Sequence, residues 1–416
     1  MLKLNILFLS LGKYNEFNIN DNGIYTSLIQ MFKEYDLNVY IISPIEKRNY
    51  KEEIEKLKYI EGIHYLDVKI GNITKTNKIE KGLSTINIEN QFLRAIKKNL
   101  SDINFDLILY PTPPITFYKV IKYLKKRDGA MTYLMLKDIF PQNAVDLGFF
   151  SKKNPIYKYF RNKEIKLYKI SDYIGCMSQA NVDYLLKHNP YLDPKKVEIL
   201  PNSINPIDLS VSDYEKAKIR KKYNLPLDKK IFIYGGNLGK PQGIPFLLKC
   251  IESIKDIDNI LFLIIGNGTE FNYIIETKEK LNLNNLVVMN RLEKDEFNNV
   301  LAASDIGIIS LDHRFTIPNY PSRLLSYMQS KLPILAITDN STDLTENIKS
   351  GGFGWSITDN DVDSFKNFIE KYINNLSNEE IISYGKKSYN YLNENFNVES
   401  VFNNIYIKLG IKKEEL

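Results

Sequence analysis

The sequence predicts an α/β protein of two units, each a parallel β-sheet flanked by helices. Three observations lead there. Short apolar runs alternate with stretches of helical periodicity from end to end, the pattern of strands joined by crossover helices. The alternation breaks once, at the Pro/Asn segment Leu200-Pro-Asn-Ser-Ile-Asn-Pro206, into two series of similar length. Several of the runs lead into glycine- or turn-rich loops that open helices, the place where ligands bind in open α/β sheets.

In the first series the strand-like runs are 5–10, 39–43, 107–110, 132–136 and 173–177, and in the second 231–234, 261–265, 286–288, 306–309 and 334–337. Residues 360–416 read as helical, with Phe365, Phe368, Tyr372, Tyr384 and Tyr389 spaced for packing. The expected division is therefore a Rossmann-like domain over 1–203, a second over 204–394, and a C-terminal helix of about 395–416 that packs back on the first. A chain of 416 residues is long enough for two such domains.

No apolar run reaches the length of a membrane span. The run Leu4–Leu11 reads as a buried first strand rather than a secretory leader, because Lys13 and polar residues follow it without a small-residue cleavage site. Cys176 and Cys250 lie far apart in apolar settings, which suggests reduced core residues of a cytoplasmic protein. His64, His188 and His313 make no metal-ligand spacing, so no metal site is expected.

The net charge of +6 is unevenly spread. Residues 1–200 hold 31 Lys/Arg against 22 Asp/Glu, and 201–416 hold 25 against 28. Most of the excess sits in 119–169, within Lys122-Tyr-Leu-Lys-Lys-Arg127 and Lys158-Tyr-Phe-Arg-Asn-Lys163. Cations interleaved with aromatics on a helix suggest peripheral contact with an anionic membrane surface. A solvated lysine-rich face is the plainer alternative. No recognition motif accompanies the charge, so nucleic acid is not expected as a partner.

Five segments carry candidate chemistry. Asp21-Asn-Gly-Ile24 follows the first strand, where Gly23 either lets the loop approach a ligand or belongs to an ordinary helix start capped by Asp21 or Asn22. Asp138 stands at the carboxyl end of the 132–136 strand, placed either to orient or deprotonate an acceptor hydroxyl or to cap a turn. Tyr234-Gly-Gly-Asn-Leu-Gly-Lys-Pro-Gln-Gly-Ile244 brings Gly236, Asn237, Gly239 and Lys240 to a strand end, four glycines in all for close approach to a diphosphate and a lysine for its charge. Ile265-Gly-Asn-Gly-Thr-Glu270 repeats the arrangement with Gly266 and Gly268. Finally, the loop after the 306–309 strand carries Arg314 and leads through Tyr320, Pro321 and Ser322 to a helix bearing Arg323 and Ser326. Either arginine can fork onto phosphate oxygens, Arg314 being the better placed by sequence and Arg323 having a surface-helix alternative. The amides of 320–323 would meet the distal phosphate.

Taken in order, these segments resemble family 4 glycosyltransferases of the GT-B fold, whose two Rossmann-like domains face each other across a cleft. Val197-Glu-Ile-Leu-Pro-Asn-Ser-Ile204 is similar to the family's interdomain segment, and Ser171-Asp-Tyr-Ile-Gly-Cys-Met-Ser178 to the strand before it. Gly235–Gly243 resembles the diphosphate loop, and Leu263-Ile-Ile-Gly-Asn-Gly268 the glycine strand end. Asp138-Ile-Phe-Pro with Ala144-Val-Asp-Leu-Gly148 resembles an element of polysaccharide-building members.

The resemblance implies metal-independent, retaining transfer of a hexosyl or N-acetylhexosaminyl group from a nucleotide diphosphate sugar, with no further cofactor. The acceptor it implies is a lipid-linked oligosaccharide of capsule or O-antigen type, at the inner face of the cell membrane. In that reading Asp138, Lys240 and Arg314 act in the transfer, and the glycines with Asn237, Tyr320–Arg323 and Ser326 bind the donor.

The chain departs from the family pattern at three places. Its two usual glutamates fall on Pro318 and Ser326, the Arg/Lys pair of its diphosphate loop on Asn237 and Gln242, and its His-Asp pair on Lys137-Asp138. The missing glutamates leave open a non-catalytic nucleotide-sugar-binding subunit. A GT-B sugar-nucleotide 2-epimerase is a further alternative by likeness of fold, although the acidic and histidine residues it needs have no counterpart in these segments.

Overall fold

The computed structural model describes residues 3–12, 20–50 and 55–410. The polar stretch with Lys13 and the chain beyond residue 410 lie outside the described residues. The chain forms two units: one runs to Asn205 and resumes at Val398, and the other is Pro206–Asn397. These divisions fall a few residues after the ones expected.

The first unit holds eight strands: β1 (Asn5–Leu9), β2 (Asn38–Glu46), β3 (Leu57–Ile60), β4 (Ile63–Ile70), β5 (Leu107–Pro111), β6 (Met131–Leu136), β7 (Tyr173–Cys176) and β8 (Val197–Ile199). Their order is β3-β4-β2-β1-β5-β6-β7-β8, parallel except where β3 meets β4. Central strands such as β5 are buried along their whole length, which is why they read as unbroken apolar runs. Phe8, Phe32, Ile41, Leu109 and Tyr133 lie in the core cluster on which the returning chain packs.

Three of these strands were not expected. The hairpin β3–β4 turns on Glu61 and Gly62, both with positive φ (49° and 83°), as a two-residue primed turn requires. Lys58 and Tyr59 are exposed on this edge, so the segment lacks the apolar run that marks a buried strand. β8 is a three-residue edge strand, too short for a periodic signal.

The second unit holds β9 (Lys230–Asn237), β10 (Ile260–Asn267), β11 (Leu286–Met289), β12 (Ile306–Ser310), β13 (Ile334–Ile337) and β14 (Gly354–Ile357). Their order is β11-β10-β9-β12-β13-β14, all parallel. Its core joins Phe232, Tyr234, Phe262 and Ile308 of the sheet to Leu247 and Ile251 of the helix Ile244–Ser253 and to Phe365, Ile369 and Ile373. β14, the unexpected edge strand here, lies within the segment before 360.

The last helix, Val398–Lys408, completes the first unit. Phe402 packs on Phe32 and Tyr35, with ring centroids 5.1 and 4.4 Å apart. The Val398 N–H donates to the Ile204 carbonyl at 2.9 Å, and Lys408 pairs with Glu198 at 2.7 Å. Burying the Phe402 side chain contributes about 1.5–3 kcal/mol.

Candidate functional site

In the second unit the sheet reverses its winding between β9 and β12. β12 pairs with β9 only at Ile306↔Phe232 and Gly307↔Ile233, whereas β10 follows β9 to Asn237. The two strands thus part at their carboxyl ends, and a crevice at that switch point is the usual ligand site of an open α/β sheet. Tyr327 stands at the parting. Its fully buried hydroxyl accepts the Gly235 N–H at 2.9 Å, a donor that β12 no longer satisfies.

The loops around the crevice are joined by backbone. Leu238 N–H donates to the Asn267 carbonyl, and Glu270 N–H to Leu238, both at 2.8 Å. Asp312 N–H donates to the Pro241 carbonyl at 2.9 Å, and the Ser310 hydroxyl to Gln242 at 2.7 Å. A Cβ on Gly266 would stand 1.9 Å from the Gly236 oxygen, and one on Gly268 2.3 Å from the Leu238 oxygen. These two glycines therefore serve the approach of one loop to another, and that accounts for them without a ligand.

Gly236 is different: it is exposed, its φ is +123°, and a Cβ there would meet only the Arg323 guanidinium, 3.9 Å away. Asn237 and Lys240 are exposed beside it, and Gly239 is extended. The Gln242 side chain accepts the Gly239 N–H at 3.2 Å and lies 3.5 Å from the Asn237 amide, so the loop closes on neutral groups.

The two candidate arginines differ in the opposite sense to the sequence reading. Arg314 lays Nε and Nη2 on Asp312 at 2.9 and 2.7 Å, so its charge has a carboxylate partner. Burial pushes the Asp312 carboxyl up, and the bonds and charge of Arg314 more than offset this, leaving it below the usual range. Arg323 stacks on Tyr234, its Cζ 4.5 Å from the ring centroid. Its Nη1 is buried without a hydrogen-bond partner, and no carboxylate pairs with it among the described residues.

The approach to this helix also differs from expectation. Tyr320 is buried against Phe396, and its hydroxyl accepts from the Asn347 amide at 3.1 Å, so its side chain belongs to the core. Pro321 has no N–H, so the segment 320–323 offers three amides rather than four. Ser322 precedes the helix Arg323–Gln329 without a side-chain cap bond. Pro318 is buried and Ser326 half-buried.

In the first unit, Asp138 lies past the end of β6. Its two carboxylate oxygens each accept from the Asn143 amide at 2.8 Å. Burial pushes it up to about 6, against the Ile139 N–H and Asn143, which favour the charged form. The Thr112 hydroxyl gathers the N–H groups of Lys137 and Asp138 at 3.0 and 3.1 Å. Lys137 donates to the Leu200 carbonyl at 3.1 Å, and burial lowers it to about 7.

Neither Asp21 nor Asn22 caps the helix Thr26–Glu34. The Asn22 amide instead donates to the Asn205 carbonyl at 2.7 Å and its oxygen accepts from Ser27 at 2.8 Å, tying the loop to the end of the unit. Gly23 gives its N–H to Asp21 and to the Thr26 hydroxyl, so it serves the turn.

Sequence reasoning missed Tyr327, Tyr234 and Asn143. A signal for the first existed, since Arg323 and Tyr327 stand at i and i+4 on one helical face.

A cavity of about 1000 Å³ opens at the opposite, amino ends of the second sheet. Four of its cations are engaged in the fold: Lys216 and Arg220 on Asp305, Lys331 on Asp208, and Lys230 on the carbonyls of Ile373 and Asn374. Among the described residues no cluster of His, Cys, Asp or Glu has metal-ligand geometry, and no helix is long and apolar enough to cross a membrane.

Residues 215–388, nearly the whole second unit, match the family model described as glycosyl transferases group 1. Together with two parallel-sheet units of Rossmann type, this makes the chain a glycosyltransferase of the GT-B fold. Among curated relatives it is similar to the probable glycosyltransferase WbjE of Pseudomonas aeruginosa, 24% identical over 73% of this chain and 74% of that one. It is also similar to the putative teichuronic acid biosynthesis glycosyltransferase TuaC of Bacillus subtilis, 23% identical over 43% of each. Among solved structures it resembles Anabaena HepE in complex with UDP-glucose, at 14% identity with a TM-score of 0.68 over 98% of this chain and 99% of that one. Over residues 215–388 the chain is similar to the family 4 glycosyltransferases.

Proposed function

We propose that the protein transfers a hexosyl or N-acetylhexosaminyl group, with retention at the anomeric carbon, from a nucleoside diphosphate sugar to a hydroxyl of a lipid-linked saccharide in surface-polysaccharide synthesis. The observation that carries the reading is the crevice where β9 and β12 part, bordered by the exposed Gly236 loop. HepE is solved with UDP-glucose, and TuaC is named for teichuronic acid synthesis, which favours this donor and product class.

In the reaction the acceptor oxygen bonds to the anomeric carbon as the bond from that carbon to the diphosphate oxygen breaks. Fixed donors in the crevice, with Lys240 at its edge, stabilise the charge that gathers on the leaving diphosphate. No metal ion enters this scheme. Asp138 takes the acceptor proton, and its raised pKa suits a group that exchanges protons near neutral pH.

Membrane contact rests on a patch that shares only Lys158 and Tyr159 with the two basic clusters of the sequence. Lys125 pairs with Asp172, Arg127 with Asp128, Arg161 with Glu164 and Lys163 with Glu89, so much of both clusters serves the fold. Phe149, Ile156 and Tyr159 are instead 59, 52 and 40% exposed, among the exposed Lys152, Lys153 and Lys158. An apolar tip ringed by lysines suits an anionic inner leaflet, where a lipid-linked acceptor resides.

A second reading, a subunit that binds nucleotide sugar without transferring it, is favoured by the buried Pro318 and by Ser326 where the family carries glutamates. One experiment separates the two. Melting temperature is measured with UDP, GDP and CMP and their sugars, and turnover of the stabilising sugar nucleotide is then followed with lipid-linked acceptors. Stabilisation with turnover is expected. Stabilisation without turnover by any acceptor supports the binding subunit, and no stabilisation at all removes both readings.

A further inference from the structure

The exposed end of the crevice loop has neutral groups at Asn237, Gly239 and Gln242, which satisfy one another. Lys240 lies beyond them. Lys240 is the one cation of the segment 235–243, so a second charge for a diphosphate placed here comes from another element, and the helix Arg323–Gln329 supplies it. The face of Tyr234 holds the Arg323 guanidinium at 4.5 Å, and Gly236, lacking a side chain, leaves the space in front of it open. One turn on, the Tyr327 hydroxyl takes the Gly235 N–H, so the helix is fixed to the loop at the neighbouring residue.

The same guanidinium carries an unmet requirement. Its Nη1 is buried without a hydrogen-bond partner, a state that is costly to leave unmet, and arginine does not escape the cost by losing its proton. Arg314, by contrast, already has its carboxylate in Asp312.

We propose that Arg323 grips the donor diphosphate, a cation delivered through the open side of Gly236 from the neighbouring helix to act beside Lys240 of the loop. The proposal rests on the donor reading given above and names the group that carries it. Arg323 contacts the leaving diphosphate throughout bond breaking, so its loss is felt in binding and in rate.

The test is calorimetric titration of the full chain with UDP, GDP and CDP, and with the matching nucleosides. Wild type is compared with Arg323→Gln, Arg323→Lys and the double variant Arg323→Gln/Asn237→Arg. For the tightest diphosphate, Arg323→Gln is expected to weaken binding about 10- to 100-fold and to leave the nucleoside unchanged. Arg323→Lys, which keeps the charge and most of the packing, should fall between. Asn237→Arg should recover part of the loss by adding a second cation to the loop.

Diphosphate affinity of Arg323→Gln within about threefold of wild type overturns the proposal while leaving the donor reading intact. Equal losses for diphosphate and nucleoside overturn it in favour of a packing role. A wild-type protein that binds none of the three diphosphates overturns the donor reading and the proposal together.

Discussion

The carboxyl ends of the two sheets are built on different principles. In Pro206–Asn397 the loops are joined through backbone, glycine against carbonyl, and the free charge arrives from a helix held by Tyr327. In the first unit the strand end is made of half-buried ionisable side chains, Lys137 and Asp138, both moved far toward neutral pH. The first arrangement fixes where a constant charge stands, and the second fixes when a proton moves. A donor diphosphate is charged at every working pH and asks for the former; an acceptor hydroxyl must lose a proton and asks for the latter.

The largest expected effect breaks the backbone side of that contrast. Gly266→Ala drives a methyl into the Gly236 carbonyl and should lower stability on the order of 3 kcal/mol, with loss of nucleotide binding, as read by urea denaturation and titration. Wild-type melting of this variant would mean that the two loops do not abut.

Asp138→Asn tests the titrating side, and it should move rate and stability in opposite directions. Turnover is expected to fall about 100-fold. The folded pKa of about 6 lies above the unfolded one, so the carboxyl is neutral and its burial uncostly at low pH. The cost appears as pH rises from about 4 and is complete above about 6. The variant should therefore match wild-type stability below about pH 4 and exceed it on the order of 1–3 kcal/mol at pH 7. Wild-type turnover should decline as pH falls through about 6, and a profile flat to pH 5 would remove Asp138 as the base.

Tyr327→Phe deletes one hydroxyl and leaves the Gly235 N–H buried and unmet. A loss of about 1–2 kcal/mol is expected, with weaker diphosphate binding as the loop loosens; unchanged values would mean that β9 holds its end unaided. The smallest effect belongs to Arg314→Gln. It should cost at most about 1 kcal/mol and leave nucleotide affinity alone, whereas a tenfold weakening would return the phosphate role to Arg314.

The fold was legible wherever a strand is buried on both faces. β5, β9 and β12 announce themselves as apolar runs because helices cover both their sides. The strands β3, β4, β8 and β14 were not, since their buried residues are few or alternate with half-buried ones. At the site, sequence located the glycine loop and both arginines, but it ranked Arg314 above Arg323. That order depends on Asp312, two residues before Arg314, and on Tyr234, which only the fold brings under Arg323. The roles of Gly266 and Gly268 were hidden for a related reason: a glycine that admits a ligand and one that admits another backbone look alike until the neighbour is known.

The return of the chain at Val398 has a consequence for its synthesis. Phe32 and Tyr35 are made early, but the helix that covers them with Phe402 and Tyr406 emerges only after the whole of Pro206–Asn397. At 5–20 residues per second that interval is roughly 10–40 s. Through it the nascent first unit carries an open aromatic groove, while the unit made second has all its strands in one stretch. The later-made half can thus reach its native state before the earlier one, and the groove is where a chaperone would find this chain waiting on the ribosome.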